Sequence, residues 1–375
     1  MAKDTSRLKE IMLPDYYREA FAGRENLGIS RPVISQPMNI LNNTYAVGTI
    51  EGQANVSASG AATYQIPIEV PNGIAGHKPN VSITYNSQSG VGLLGYGWNV
   101  SASSSISRSG KSIYYDNASE APNLSGTDNL ILDGQRLLLE SGTNLSNGAK
   151  YRTEVEGYST ITYKVINSYA CFEVKTPDGK TLEYGSTADS YIETSSGGPA
   201  LFWLLSKVTD NNGNTITYTY DEVANNGEFY LTSIQYAGNR KVSLTYEDRS
   251  DKQISYVAGV AVNTRKIIKK LTTSIGSTVV KEYLFNQVYD GYYSKLTEIV
   301  EQGQNNERYN STQINYGMPD VYGNEYLSTL STNRQGNKPL FADFNGDGKT
   351  DFLSYPEKTS YTTSDVATLF LANSL

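Results

Sequence analysis

The sequence predicts an all-β fold in which antiparallel strands form a meander or a sandwich-like module. Its 375 residues include 30 Tyr and 33 Gly, and only 38% of them are hydrophobic. Tyr and β-branched residues suit a half-buried pleated surface, while Gly supplies turns between strands. Apolar residues also recur at every second position, which places them on one face of each strand. The alternating sets are Tyr64, Ile66, Ile68 and Val70; Val81, Ile83 and Tyr85; Ile161, Tyr163 and Val165; Ile216, Tyr218 and Tyr220; and Val242, Leu244 and Tyr246.

Residues 1–52 are predicted to form a short N-terminal helix and an extended arm. Leu8 and Ile11 recur at helical spacing, and Pro14 interrupts the pattern. Residues 23–52 are rich in Asn, Pro and Gly and show no periodicity. No signal peptide is visible at the start of the chain, and no apolar run approaches the roughly 20 residues that a membrane-spanning helix needs. We therefore expect no transmembrane segment.

The charge balance argues against a nucleic-acid partner. The formal net charge is −7, so a general attraction to phosphate backbones is not expected. The basic run Arg265–Lys270 is interpreted as a strand edge that lysines protect from aggregation. The single Cys171 excludes an intrachain disulfide, and the single His77 leaves little material for a Ser-His-Asp triad. Cys171 is expected to be a small buried hydrophobe, and His77 is expected to lie in a turn.

A degenerate repeat, in which a turn precedes a Thr-rich strand that ends in Tyr, occurs three times. It is present at Pro177–Tyr184, Asn211–Tyr218 and Ala237–Tyr246. The Asp-Gly, Asn-Gly and Gly-Asn pairs in these segments favour hairpins, because their positive φ angles match the twist of paired strands. The segment Gly213–Asp221, followed by Leu231–Ile234, resembles the RHS/YD repeat of bacterial polymorphic toxins and surface proteins.

Four segments near the start of the β-rich region resemble one protein family. They are Gly60–Gly73, Pro79–Ser87, Gly90–Trp98 and Ile106–Arg108. Together they resemble the amino-terminal region of the SpvB family, which forms the front of virulence-plasmid SpvB proteins and of the B component of insecticidal toxin complexes. The resemblance implies an SpvB-like β-rich module over residues 53–332. In such proteins FG-GAP/VCBS propeller motifs follow this module, and RHS/YD repeats follow the propeller.

Several residues of this region have a structural interpretation. Pro67 and Pro71 mark an edge strand or the ends of a strand, because Pro cannot donate a hydrogen bond to a sheet. The glycines around Leu93 allow backbones to approach an aromatic anchor. We therefore expect Trp98 to be that packing anchor and Arg108 to be structural, and we expect neither to bind a ligand.

The segment Asp343–Asp351 predicts a calcium site. Oxygen-bearing residues occupy alternate positions of a glycine-containing loop, and a calcium ion takes six or more oxygen ligands from such a loop. An EF-hand is excluded because Ser354 stands where that motif requires a bidentate Glu, and because the flanking residues favour strands. The predicted ligands are the side chains of Asp343, Asn345, Asp347 and Asp351 and the backbone carbonyl of Lys349.

The residues around this loop resemble the calcium-binding blades of FG-GAP/VCBS β-propellers, with Phe341-Ala342 before the loop and Phe352-Leu353 after it. The resemblance implies that residues 333–375 form a partial blade. A propeller needs at least four blades, so the apolar residues of this segment are expected to lack part of their packing partners. The expected fold is therefore a short helix, an antiparallel module and the start of a propeller blade.

The segment Glu154-Val155-Glu156 matches the Glu-x-Glu motif of the ADP-ribosyltransferase effector that SpvB itself carries. It lies inside the β-rich region, and no Arg strand or Ser-Thr-Ser strand precedes it in the required order. We interpret the match as a chance pairing of carboxylates on a solvent-exposed face. The chain is therefore expected not to be an enzyme.

The expected function is that of a non-catalytic structural or carrier module. The resemblances imply a large secreted RHS/toxin-complex-like protein in which this module forms part of a shell or docking platform for a toxic effector. Its partners would be downstream propeller and RHS-repeat regions, and an effector or other toxin-complex subunits, outside the cell or at the bacterial surface. A cell-surface adhesin or glycan-binding module is the alternative that the abundant Tyr, Asn and Thr favour. A carbohydrate-active enzyme is a third alternative.

Overall fold

The computed structural model describes residues 44–45, 50–195, 197–223, 227–316, 337–342, 344, 350–356 and 368–370. The described part is almost entirely β-structure, so the predicted all-β class is confirmed. The chain divides into two compact units, Met1–Ile314 and Asn315–Leu375. The helix predicted before residue 23 and most of the arm predicted up to residue 52 lie outside the described residues.

The first sheet of unit 1 is small and contains six strands. Its polar and apolar residues alternate as the sequence predicts, and its strand order is β1-β2-β3-β6-β5-β4, with every pairing antiparallel. Its strands are β1 (Gln53–Val56), β2 (Ala62–Pro67), β3 (Ser82–Asn86), β4 (Val91–Gly92), β5 (Gly95–Tyr96) and β6 (Trp98–Ser101).

The second sheet begins with strands that close into a ring. The pairing of β13 with β15 joins β15, β7, β8, β9, β10, β11, β12 and β13 into a circuit of eight antiparallel strands, while β14 pairs with β15 beside it. Such closure removes the free edges of a sheet. These strands are β7 (Ser105–Ser109), β8 (Asn129–Leu132), β9 (Gln135–Ser141), β10 (Lys150–Thr153), β11 (Thr160–Ile166), β12 (Tyr169–Lys175), β13 (Thr181–Tyr184), β14 (Tyr191–Glu193) and β15 (Ala200–Thr209).

The same sheet continues from β15 as a meander in which each strand pairs with the next. Long β-branched and Tyr-rich segments form its strands, as their alternation predicts. The strands are β16 (Thr215–Val223), β17 (Glu228–Tyr236), β18 (Arg240–Val257), β19 (Val260–Ile275), β20 (Thr278–Tyr289), β21 (Ser294–Gly303) and β22 (Thr312–Gln313).

The three predicted turn-and-strand repeats form hairpins. They connect β12 to β13, β15 to β16 and β17 to β18. Gly179 and Gly213 adopt φ angles of +82° and +81° in the first two turns, a backbone region that L side chains rarely adopt. The sequence pattern therefore located these turns correctly.

The core of unit 1 contains most of the alternating residues that the sequence predicts. Ile66, Ile83, Ile161, Ile216 and Val242 are each at most 3% exposed. The prediction fails at one residue, since Val165 is 59% exposed. Val165 lies one residue before the end of β11, next to the turn that leads to β12, where side chains near the hairpin end are more exposed.

One short helix, α1 (Ile113–Asp116), lies between β7 and β8. Ser112 caps it by accepting a hydrogen bond from the backbone N–H of Tyr115. The Arg136 guanidinium, which ion-pairs with Asp116, holds the pKa of that carboxyl at about 2. This helix is therefore tied to the ring of strands through the side chain of its last residue.

Unit 2 contains a three-stranded antiparallel sheet within the described residues. Asp351 opens its central strand opposite Ala342, and Phe341 pairs with Phe352. Leu340 and Phe341 of its first strand are 47% and 64% exposed. The strands are β23 (Asn337–Ala342), β24 (Asp351–Pro356) and β25 (Thr368–Phe370).

Candidate functional site

The predicted calcium loop falls mostly outside the described residues. Asp343, Asn345, Asp347 and Lys349 are not among them, whereas Asp351 is. No group of three or more His, Cys, Asp or Glu side chains that could hold a metal ion is present among the residues that the structure describes. The calcium assignment therefore remains a prediction from the sequence.

Asp351 is the predicted ligand that lies within the described residues. It is 1% exposed, and its Oδ2 accepts a hydrogen bond of 2.8 Å from the backbone N–H of Phe344. A buried carboxylate needs a partner for its charge, and this contact brings the two ends of the loop together. Asp351 is thus a buried carboxylate that already accepts a hydrogen bond from the backbone.

Trp98 is a packing anchor, as the sequence predicts. It is 5% exposed. Its ring lies 5.0 Å from the ring centroid of Tyr85 and 6.4 Å from that of Tyr64 in an edge-on arrangement. Gly97 adopts a φ of +76°, and a Cβ at this position would meet Cε2 of Tyr85 at 2.6 Å. Glycine is therefore required where the chain approaches this aromatic layer.

Arg108 has the structural role that the sequence predicts. Its Nη1 lies 2.9 Å from Oδ2 of Asp128, and its Nε donates a hydrogen bond of 2.7 Å to the carbonyl oxygen of Ala200. The guanidinium also lies 5.5 Å from the ring centroid of Trp203. Arg108 thus connects β7, the loop before β8 and the first residue of β15. No local sequence pattern identifies Asp128 as its partner, because only the fold brings the two segments together.

The other reactive side chains are also placed as expected. Cys171 is fully buried, and burial raises the pKa of its thiol to about 11. His77 ends a 3₁₀ turn and is 8% exposed. Glu154, Val155 and Glu156 follow the last residue of β10, and Val155 is 70% exposed. These carboxylates therefore lie on a solvent-facing turn.

The basic run lies within β19, which confirms that it forms a strand. Arg265 ion-pairs with the buried carboxylate of Glu228, and Lys270 Nζ lies 2.9 Å from Oε1 of Glu282. Strand β19 pairs with β18 on one side along most of its length, and its pairing with β20 begins at Lys270. The start of β19 therefore pairs with β18 but not with β20, and the N–H of Ile268 donates to the carbonyl oxygen of Leu93 at 2.8 Å. Carboxylates match its cations, and the protection of a strand edge by the lysines stays a prediction.

An uncharged groove on the small sheet was not predicted from the sequence. Its volume is about 800 Å³, and no Asp, Glu, Lys or Arg lines it. Gln53, Gln65, Thr84 and Asn99 lie directly opposite one another on β1, β2, β3 and β6, so they form one row across the sheet. A second row contains Asn55, Thr63 and Asn86.

The groove has a rigid aromatic layer beneath it and a glycine-bearing wall beside it. Side chains alternate between the faces of a strand, so Tyr64, Tyr85 and Trp98 project away from the polar rows. The segment from Ser89 to Gly92 forms the wall, and its Gly90 accepts a hydrogen bond of 2.9 Å from the N–H of Gly97. The sequence signal for this groove was the recurrence of Gln, Asn and Thr at every second position.

These features define an all-β module. A closed ring of strands continues as a meander, and a second, small sheet carries a polar face. The family model described as SpvB, Salmonella virulence plasmid 65kDa B protein, matches residues 56–313. The chain therefore belongs to the SpvB family. No curated protein sequence matches it significantly. Within the described residues, no helix has the length and apolar character needed to cross a membrane.

Solved structures share this fold. The crystal structure of TcdB2-TccC3 is 16% identical, with a TM-score of 0.63 over 87% of this chain and 20% of that chain. The Photorhabdus luminescens Tc holotoxin pore is 16% identical, with a TM-score of 0.61 over 89% of this chain and 20% of that one. The N-terminal domain of effector protein SpvB from Salmonella typhimurium strain LT2 is 16% identical, with a TM-score of 0.52 over 64% of this chain and 98% of that domain.

The share of each solved chain that this chain covers differs between the toxin-complex structures and the SpvB domain. The chain spans about a fifth of the length of the toxin-complex chains, which each contain much more protein than this module. It matches nearly the whole of the solved SpvB N-terminal domain. At these identities the likeness concerns the fold alone.

Proposed function

We propose that the chain is a non-catalytic structural module of a large secreted bacterial RHS/toxin-complex-like protein, in which it forms part of a shell or docking platform for a toxic effector. Its membership in the SpvB family and its shared fold with a segment of TcdB2-TccC3 support this proposal. The observation that carries it is the closed ring of strands, within which Arg108 bonds Asp128 and the backbone carbonyl of Ala200. A wall needs a rigid unit, and buried hydrogen-bond networks add such rigidity.

The proposal includes the place and the partners of the module. It acts outside the cell or at the bacterial surface, and it contacts downstream propeller and RHS-repeat regions, an effector or other toxin-complex subunits. The exposed Leu340, Phe341 and Phe344 support a neighbouring blade as one partner, because a repeat unit buries its apolar face against the next unit. A calcium ion held by Asp343–Asp351 would stiffen the loop that opens such a blade.

Electron cryomicroscopy of the natural full-length gene product tests this function. We expect the module to be part of a continuous wall around an internal volume. We also expect it to contact the downstream propeller and RHS-repeat regions. A module that is connected only by a flexible linker, with no contact to the rest of the protein, would contradict the proposal.

An enzymatic role is tested separately, since Glu154 and Glu156 match an ADP-ribosyltransferase motif. The purified chain is incubated with labelled NAD⁺ and a host-cell extract, and the transferred label is measured. We expect no transfer above that of the Glu156→Gln variant. Transfer that this substitution abolishes would show that the module is catalytic.

A further inference from the structure

We propose that the groove on the small sheet binds a neutral glycan through the row Gln53, Gln65, Thr84 and Asn99. The proposed carrier role assigns no ligand to this face. The inference starts from the register of the strands, because four consecutive cross-strand partners all carry amide or hydroxyl groups. Neighbouring strands lie about 4.8 Å apart, so this row extends over roughly 14 Å and can meet several sugar rings.

The hydrogen bonds within the sheet fix the direction of several of these groups. Asn55 Oδ1 accepts the backbone N–H of Val56 at 2.8 Å, and Asn99 Oδ1 accepts that of Val100 at 2.9 Å. Each carboxamide is thereby oriented through its oxygen. Among the described residues, no further hydrogen bond engages Nδ2 of Asn55 or of Asn99, so both NH₂ groups remain donors for a ligand.

The same face also supplies acceptors. Gln65 Nε2 donates to Ser82 Oγ at 3.2 Å, which leaves its Oε1 available to accept. Thr84 Oγ1 donates to the carbonyl oxygen of Asn99 at 3.4 Å and keeps its lone pairs for a ligand. The row thus offers acceptors at Gln65 and Thr84 and a donor at Asn99. A sugar hydroxyl both donates and accepts, so it can satisfy such neighbouring groups together.

The lining excludes other classes of ligand. A nucleic acid or a sulfated glycan carries many negative charges and favours cationic side chains, and none lines the groove. A lipid or an amphipathic helix requires a continuous apolar surface, but the exposed side chains of this row are amides and hydroxyls. The volume of about 800 Å³ is within the range of small-molecule sites and accommodates a short oligosaccharide.

The groove is pre-organised by its glycines. A Cβ on Gly92 would lie 2.1 Å from the carbonyl oxygen of Trp98, so only glycine allows β4 to approach β6 this closely. The N–H of Leu94 donates to the same carbonyl at 3.2 Å. The wall of the groove is thereby fixed against the sheet before any ligand arrives, which lowers the entropy cost of binding.

Calorimetric titration of the full chain tests the proposal. The probes are maltohexaose, cellohexaose and chitohexaose, which are neutral, and a heparin hexasaccharide, which is anionic. We expect at least one neutral probe to bind and heparin not to bind. The double variant Gln65→Ala/Asn99→Ala should weaken binding by about tenfold or more, because two hydrogen-bonding groups are lost.

The matched control is Thr217→Ala/Gln235→Ala, which removes an exposed cross-strand polar pair from β16 and β17, outside the groove. This control should bind the neutral probe as the parent chain does. Both double variants replace exposed or strand-surface groups, and circular dichroism melting checks that each is folded. The proposal is overturned if no neutral probe binds at concentrations up to about 10 mM. It is also overturned if the groove variant binds as tightly as the control, or if heparin competes for the groove.

Discussion

Arg108 and Asp128 form a buried ion pair in which Nη1 of the arginine lies 2.9 Å from Oδ2 of the aspartate, and their side chains are 5% and 3% exposed. Backbone groups also bond both side chains, since Arg108 Nε donates to the carbonyl oxygen of Ala200. The N–H groups of Asn123 and Leu124 donate to Asp128 at 2.9 and 2.8 Å. The pair therefore holds the loop before β8 in a defined shape against the ring of strands.

Asp128→Ala is expected to lower the free energy of unfolding by about 3–5 kcal/mol, because it leaves a buried guanidinium without its counter-charge. Urea denaturation followed by circular dichroism measures the change. The control is Asp178→Ala, which removes an exposed partner of Lys180 and should cost no more than about 1 kcal/mol. The double variant Arg108→Met/Asp128→Ala should recover part of the loss. If Asp128→Ala and the control Asp178→Ala unfold at the same urea concentration, the Arg108–Asp128 pair does not stabilise the fold.

Trp98→Ala is expected to destabilise unit 1 by about 3–5 kcal/mol, because the substitution leaves a cavity beneath the small sheet. Trp98→Phe should cost less, since it keeps a ring against Tyr85 and Tyr64. In the parent chain iodide should quench tryptophan fluorescence weakly, because Trp98 and Trp203 are 5% and 1% exposed. Free quenching, together with an unchanged melting temperature of the alanine variant, would refute the anchor role.

Alkaline pH is expected to unfold the protein through its buried tyrosines. Burial raises the pKa of Tyr163, Tyr218, Tyr236 and Tyr283 to about 12, from the usual 10.0. The unfolded chain ionises first, so this contribution to stability is complete below pH 10 and is lost as the pH rises toward 12. Urea unfolding at several pH values and absorbance at 295 nm measure the effect. A reversible titration of all tyrosines near pH 10, without unfolding, would contradict it.

Calcium is expected to bind Asp343–Asp351 with a Kd on the order of 10⁻⁴–10⁻³ M, as in extracellular modules. Calorimetry should detect binding to the parent chain and none to Asp347→Ala. The variant Asp178→Asn, which changes an exposed carboxylate elsewhere, is the control and should bind as the parent does. Equal binding by Asp347→Ala and the parent, or no binding by either, would remove the assignment.

Limited proteolysis without calcium is expected to leave a stable core that begins near residue 50, with cleavage concentrated after about residue 330. Unit 1 buries its own apolar residues, whereas Leu340, Phe341 and Phe344 of unit 2 are 47%, 64% and 41% exposed. Segments with few buried apolar contacts open more readily. Mass spectrometry of the fragments locates the cuts. A tail that resists protease as well as the core would show that unit 2 is already a complete domain.

The sequence predicted the local structure of this protein well. Alternation at Ile66, Ile83 and Ile216 identified strand faces that are buried, and the Asp-Gly and Asn-Gly pairs identified hairpin turns. Pro67 is the last residue of β2, which fits the prediction that Pro marks a strand end. Strand β2 is nevertheless flanked by β1 and β3, so it is not an edge strand.

The sequence did not predict which distant strands pair. The ring depends on Tyr184 and Leu182 of β13 meeting β15, and no local pattern encodes this contact. The groove depends in the same way on Gln53, Gln65 and Asn99 sharing one register. Local alternation indicates the face on which a side chain lies, but it does not indicate its neighbours across the sheet. The Glu228 partner of Arg265 was missed for the same reason.

Strand β15 pairs with β7, β13, β14 and β16, and so it belongs both to the ring and to the meander. The ring and the meander therefore cannot be separated from each other without breaking a hydrogen-bond ladder of this one strand. A change that disrupts β15 should accordingly disturb both parts of unit 1 together, so the two parts are not independent folding units.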